Sequence, residues 1–135
     1  MHTLYTFYVL FNMLIALLVL FYLSHTGNIT FDNNKSILYA LGVQQIHCIA
    51  LFGLISLIRY SSLPRICVYL SHSASVLFCL GMILFSLNIY VKNIFELSVF
   101  ASLIPFGGAM LFFGWALVLF LPFFWFIVRI LERKF

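Results

Sequence analysis

Four long apolar runs, separated by short polar segments, dominate the pattern of hydrophobic and polar positions along this chain. None of them contains Asp, Glu, Lys or Arg, although the chain carries seven basic and three acidic residues. A bilayer core about 30 Å thick needs about 20 apolar residues per helical crossing, and each run meets that length. The apolar positions are continuous rather than alternating, which favours helices over barrel strands. The pattern predicts an all-α integral membrane four-helix bundle, a single domain 1–135 with spans at residues 3–23, 36–58, 66–91 and 105–128.

The segments between the runs predict how the spans connect. Residues 59–65 form so short a link that the second and third spans must be antiparallel neighbours. Residues 92–104 mix the charges of Lys92 and Glu96 with large apolar side chains, which is typical of an interfacial segment. Pro105 suits the first turn of a helix, where its missing N–H costs nothing. We therefore expect the fourth span to begin at Pro105.

Composition supports the membrane interpretation and excludes a soluble domain. Hydrophobic residues make up 65% of the chain and charged residues 7%, whereas about a quarter of the residues in soluble domains are charged. The lipid bilayer is therefore the predicted partner, and a net charge of +4 calls for no nucleic acid. The first run lacks a basic leader and a small-residue cleavage site, so we expect it to remain as a membrane helix.

The basic residues are divided unequally between the two ends of the predicted bundle. One end carries two, Lys35 and Lys92. The end with both termini carries five: Arg59, Arg65, Arg129, Arg133 and Lys134. Basic residues accumulate on the cytoplasmic side of membrane proteins. Both termini are therefore predicted on the cytoplasmic side of a bacterial inner (plasma) membrane, or alternatively on the matrix side of a mitochondrial inner membrane.

Polar residues inside the runs are the candidate functional residues, because each is costly in hydrocarbon unless it has a partner. Gln44 and His47 are three residues apart and share one face of the second span, and Asn12 lies near the middle of the first. Trp115 lies at mid-depth in the fourth span, where we expect its indole N–H to find an acceptor among the amides of the second span. This polar cluster either lines a small cavity for a proton, ion or quinone headgroup, or locks the bundle together.

Glycines predict where the spans approach each other closely, because a missing side chain lets a neighbouring backbone come near. Gly107 and Gly114 are seven residues apart and share a face of the fourth span, with Gly108 beside the first. Gly81 in the third span, and Gly42 and Gly53 in the second, are predicted to serve the same packing role.

Cysteine and histidine spacing gives no indication of a metal or cofactor. Cys48, Cys67 and Cys79 lie inside spans without metal-type spacing, and buried free cysteine usually behaves as a small apolar residue. His47 lies near mid-membrane, whereas His72 lies about two turns from the cytoplasmic end of the third span, so their depths do not match for bis-histidine haem. We therefore predict no cofactor and no metal.

Three motifs resemble those of a known family. Residues 43–51 (Val-Gln-Gln-Ile-His-Cys-Ile-Ala-Leu) are similar to a Tyr-Gln-x-x-His-Ala-Leu motif that opens the second helix of that family. Residues 84–90 (Leu-Phe-Ser-Leu-Asn-Ile-Tyr) are similar to its Leu-Phe-Ser-Gly-Ser-Leu-Tyr motif but lack the glycine. Residues 104–115, with Ile-Pro-Phe-Gly-Gly and then Gly-Trp, closely match its Thr-Pro-Ile-Gly-Gly…Gly-Trp motif.

The family is that of the small four-helix membrane proteins of unknown function typified by bacterial YgdD and eukaryotic transmembrane protein 256. Its Gly-Ala-His-Gly-like segment survives only as Ser-His-Thr-Gly at residues 24–27, which departs from the small residues of the family. The resemblance covers residues 25–115 approximately. It implies a four-helix integral membrane protein without an assigned reaction, and it implies that Gln44, His47, Gly107, Gly108 and Trp115 matter together.

Two functions follow from these features. The first is a non-enzymatic accessory or assembly subunit that packs against a larger membrane complex, since the chain offers large Phe and Leu surfaces and no recognisable nucleophile or metal set. The alternative is a small transporter, channel or lipid/quinone-binding protein built around Asn12, Gln44 and His47. An enzyme is not predicted.

Overall fold

The structure, a computed structural model, describes residues 2–25, 31–60 and 62–132. Those residues are helical almost throughout and contain no strand. The α-helices are α1 His2–His25, α2 Phe31–Tyr60, α3 Arg65–Met82, α4 Asn88–Ile94 and α5 Ile104–Glu132. A π-helical turn, Ile83–Leu87, joins α3 to α4, and a 3-10 turn, Ala101–Leu103, precedes α5. Of the predicted features, part of the 24–27 segment and the C-terminal Arg133 and Lys134 lie outside the described residues.

Four of the helical stretches are long and apolar enough to cross a membrane: Thr3–His25, Asn34–Tyr60, Arg65–Ile94 and Ala101–Leu131. The third span is continuous from α3 through the π-helical turn to α4. The helices extend beyond the ends of the predicted apolar runs. Hydropathy locates only the part of a helix that lies in the hydrocarbon core, whereas the backbone stays helical into the interfacial region.

The predicted interfacial segment, residues 92–104, has several parts. Lys92 lies in the last turn of α4, which ends at Ile94, and Glu96 adopts a positive φ of 58°. This left-handed conformation is typical of the residue that terminates a helix. Phe95 and Phe100 then expose their rings before the 3-10 turn leads into α5.

The third span and α5 run antiparallel and pack against each other at glycines. A Cβ added at Gly114 would overlap the Phe78 ring, and one added at Gly81 would overlap the Leu111 side chain. At Gly107 the added atom would meet the backbone of the π-helical turn itself. Close backbone contact at small residues contributes to helix association in lipid, so these positions help to hold α5 against the third span.

The π-helical turn sets which side chains of α4 face α2. A π-turn places one extra residue in the helix and so rotates everything that follows it by about 100°. Within the turn, Ser86 donates a hydrogen bond to the Ala40 carbonyl oxygen (3.2 Å), and past the turn the Tyr90 hydroxyl reaches Gln44. The turn thereby brings a tyrosine of the third span into the polar centre of the bundle.

Candidate functional site

Gln44 lies at the centre of the bundle and connects three spans. Its Nε2 donates to both the side-chain Oδ1 and the backbone oxygen of Asn12, each at 3.0 Å. Its Oε1 accepts a hydrogen bond from the Tyr90 hydroxyl at 2.6 Å. Gln44, Asn12 and Tyr90 are 0%, 2% and 4% exposed, so these bonds form away from the lipid surface. Every polar atom of the Gln44 side chain is therefore used inside the protein.

Asn12 is held in place by its own helix. Its Nδ2 donates to the Tyr8 carbonyl oxygen one turn earlier (2.9 Å), which turns Oδ1 towards α2. The Tyr8 hydroxyl in turn donates to the Cys79 carbonyl oxygen of α3 (2.7 Å). α1 is thus bonded to two neighbours through side chains that stand four residues apart on one face.

His47 and Trp115 form a second polar contact, between α2 and α5. The Trp115 indole N–H donates to His47 Nε2 at 3.0 Å, while His47 Nδ1 lies 2.6 Å from the Val43 carbonyl oxygen. An indole can only donate and a carbonyl can only accept. The histidine must therefore be the neutral tautomer with its proton on Nδ1. The Phe78 ring of α3 packs edge-on against the imidazole, with the two ring centroids 5.2 Å apart.

Replacing Trp115 with phenylalanine is expected to release His47 Nε2 and to lower the free energy of unfolding by about 0.6–2 kcal/mol, the range for a hydrogen bond in a membrane bundle. Nitrogen NMR of labelled histidine should show the Nδ1–H tautomer in both proteins, because the Val43 carbonyl oxygen still accepts that proton, and the Nε2 resonance of His47 should shift in the variant because its indole donor is lost. Trp125→Phe is the matched control, because Trp125 packs with Arg129 at the end of α5. An Nε2 resonance of His47 that is unchanged in Trp115→Phe would contradict the hydrogen bond from the indole.

The structure brings the four predicted polar residues together as two adjacent pairs, Asn12 with Gln44 and His47 with Trp115. One detail of the prediction is wrong. The acceptor of the Trp115 indole is the His47 ring rather than an amide of the second span, because the Gln44 amide oxygen is already taken by Tyr90.

The predicted glycines fall into two groups. Gly81, Gly107 and Gly114 lie at the contact between the third span and α5. A Cβ at Gly108 would make only ordinary contact with the Phe85 ring at 3.7 Å, and one at Gly42 would meet no atom within 4 Å. The close helix approach expected at Gly42 and Gly53 is absent, because Gly42 borders an open space beside α1 and Gly53 borders one beside α5.

Sequence reasoning missed two tyrosines and one phenylalanine of this centre. Tyr90 closes the motif at residues 84–90, which is the signal that could have drawn attention to it. Tyr8 stands four residues before Asn12 and therefore on the same face of α1. Phe78 carries no signal of its own among so many phenylalanines.

The chemistry that these groups offer is hydrogen bonding in a closed centre. Among the described residues, no three His, Cys, Asp or Glu side chains gather where they could hold a metal ion. The cysteines are free and pack as apolar groups, with Cys48 Sγ 3.9 Å from the Met82 sulfur and Cys67 Sγ 3.9 Å from the Leu121 carbonyl oxygen.

These features define an all-helical integral membrane protein whose four spans are joined by hydrogen bonds between them. Residues 21–108, about two thirds of the chain, match the model of the family described as "Protein of unknown function (DUF423)", and the chain belongs to that family. This confirms the resemblance to the small membrane proteins of the YgdD and transmembrane protein 256 type. Comparisons with curated proteins and with solved structures gave no match. The matched range contains Gln44, His47, Tyr90 and Gly107, whereas Asn12 and Trp115 lie beyond its ends.

Proposed function

We propose that this protein is a non-enzymatic membrane subunit that packs against a larger membrane complex. The observation that supports it best is that the central polar side chains are satisfied by one another. Gln44, Asn12 and Tyr90 bond the first three spans, and His47 with Trp115 bonds the second to the fourth. A catalytic or transport site needs polar groups that are free to exchange partners with a substrate. Here those groups hold the helices in one arrangement.

The outer surface supports the same proposal. α1 and α5 expose most of their large apolar side chains, and Phe7, Phe11, Phe112, Phe113, Phe120 and Phe123 are each more than half exposed. A rigid bundle with such faces suits lateral packing against other transmembrane helices. From the surplus of basic residues at one end we propose that this end, with both termini, faces the cytoplasm at a bacterial inner membrane or the matrix at a mitochondrial one.

The alternative is a small transporter, channel or lipid/quinone-binding protein that uses Asn12, Gln44 and His47. A transport or binding role requires the hydrogen bonds of Gln44 to break, and all of these bonds are formed in the structure. The closed arrangement therefore favours the subunit over the transporter.

A photoreactive residue at Phe113, on the exposed face of α5, is expected to give cross-linked products of a few fixed masses in native membranes. The same partners should co-purify with the full chain in mild detergent. A photoreactive residue at Phe78 is the control, since this ring is fully buried and should cross-link only within the chain. A chain that runs alone in mild detergent and cross-links only to lipid would overturn the proposal.

An ion-flux measurement tests the alternative role as a transporter or channel. Proteoliposomes that contain the purified chain are expected to show no proton or cation flux above empty liposomes. A flux that is present in the wild type and lost in His47→Ala would replace the proposed subunit role with transport.

A further inference from the structure

An open groove runs between α2 and α5 on the side of the bundle that faces lipid. It has a volume of about 730 Å³, within the range of about 300–1,000 Å³ that is usual for ligand sites. Ala50 and Gly53 of α2 form one wall, Trp115 and Pro122 of α5 form the other, and Cys67 of α3 lies at its floor. We call it the α2–α5 groove.

Small side chains on α2 and a hydrogen bond at its inner end shape this groove. The His47–Trp115 bond draws α2 and α5 together at mid-membrane. Towards the basic end, Gly53 has no atom within 4 Å of where a Cβ would lie, so the space beside it stays open. The groove therefore ends at a closed polar contact and opens to lipid along its side.

The length of the groove matches one leaflet of a bilayer. Trp115 at the inner end and Arg129 at the outer end are fourteen residues apart on α5, which is about 21 Å at about 1.5 Å per residue. Half of a bilayer that is about 40–45 Å thick with its headgroups is also about 21 Å. A partner transmembrane helix would need a surface that crosses both leaflets, whereas this groove stops at the middle.

Positive charge lies at the outer end of the groove. The Arg129 guanidinium lies 5.0 Å from the centre of the Trp125 ring, and that of Arg59 lies 5.4 Å from the centre of the Tyr60 ring. Both rings line the groove. Glu96 belongs to the opposite end of the bundle, and the acidic residue that follows Arg129 in the sequence, Glu132, is followed at once by the basic Arg133 and Lys134. Arginine binds phosphate oxygens through two parallel N–H groups, so this end is complementary to a phospholipid headgroup.

We propose that the α2–α5 groove binds one anionic glycerophospholipid, with an acyl chain along Gly53 and Ala50 and its phosphate at Arg129. The occupant comes from the leaflet on the side of Arg59 and Arg129. This site meets the hydrogen-bonded centre only at Trp115, which closes its inner end, and it does not depend on the subunit role proposed above.

The two tryptophans of the chain allow a direct test, because both Trp115 and Trp125 line the groove. The full chain is reconstituted in nanodiscs, and quenching of its fluorescence is measured with lipids brominated on their acyl chains. Brominated phosphatidylglycerol in unlabelled phosphatidylcholine is compared with brominated phosphatidylcholine in unlabelled phosphatidylglycerol. The anionic lipid is expected to bind about five-fold more tightly, the factor that one basic residue near the surface contributes. Equal quenching at equal mole fraction would mean bulk lipid in the groove and would overturn the proposal.

Two variants separate the headgroup contact from the chain contact. Arg129→Gln should abolish the preference for the anionic lipid while quenching by bulk lipid remains. Gly53→Leu should reduce quenching by both lipids, because the new side chain fills the groove, and the open space there lets the variant fold. The matched controls are Arg65→Gln, at the same end but outside the groove, and Gly42→Leu, an equally open glycine on α2.

The controls decide between the proposal and its competitors. If Arg65→Gln lowers the preference as much as Arg129→Gln does, the effect is general surface charge and the site is disproved. If Gly53→Leu leaves quenching unchanged, the lipid lies elsewhere, and the proposal fails. Native mass spectrometry should show one retained anionic phospholipid in the wild type and about five-fold less of it in Arg129→Gln. A retained second polypeptide that Gly53→Leu displaces would assign the groove to a protein partner instead.

Discussion

Replacing Gly107 with alanine is expected to lower the free energy of unfolding of the bundle by about 2–3 kcal/mol. A Cβ at this position would lie 2.5 Å from the Phe85 nitrogen and 2.7 Å from the Leu84 carbonyl carbon. Both atoms belong to the backbone of the π-helical turn, so no rotation of a side chain relieves the overlap. α5 must then move away from the third span, and the van der Waals contact that joins them in lipid is weakened.

Gly108→Ala is the matched control for this prediction. The added methyl group would lie 3.7 Å from the Phe85 ring, at ordinary contact distance, and alanine favours the helix over glycine. We therefore expect a change within about 0.5 kcal/mol of zero. Unfolding by sodium dodecyl sulfate in mixed micelles, followed by circular dichroism, measures both variants. Equal losses in the two would contradict the packing argument and would point to glycine flexibility instead.

The spans could be predicted from sequence because lipid imposes one simple condition. A charged residue in hydrocarbon is costly, so the uncharged runs mark the crossings directly. The helix ends could not be predicted in this way. α2 begins at Phe31, before its apolar run, and α5 continues past Arg129 to Glu132. Outside the hydrocarbon, helix continuation depends on local backbone bonds that hydropathy does not report.

The polar centre was predictable only in part. Asn12 and Gln44 lie at similar depth on neighbouring helices, and that is enough to expect a hydrogen bond between them. The contact of Tyr90 with Gln44 was not predictable. The direction of the Tyr90 side chain depends on the π-helical turn, and the sequence gives no signal for that turn. The acceptor of Trp115 depends on how α5 is rotated against α2, and the glycine contacts that fix this rotation are formed with the third span rather than with α2.

Replacing Gln44 with leucine is expected to lower the free energy of unfolding by about 2–4 kcal/mol, the sum for three hydrogen bonds in a membrane bundle. The substitution removes the donor to Asn12 and the acceptor of Tyr90. Both partners stay buried where water cannot replace the lost bonds. Gln45→Leu is the matched control. Gln45 is only half-buried beside the same helix turn, so its loss should change stability by less than about 0.5 kcal/mol.

A double-mutant cycle tests whether the Gln44 bond to Tyr90 exists as described. Tyr90→Phe alone removes one donor, and it should cost less in the Gln44→Leu background than in the wild type, because the hydroxyl has no acceptor left there. The expected coupling is about 0.6–1.7 kcal/mol. If the two losses simply add, the two side chains do not interact, and the polar centre is open on the side of α4. An open centre would in turn remove the main support for a purely structural role and favour the transporter.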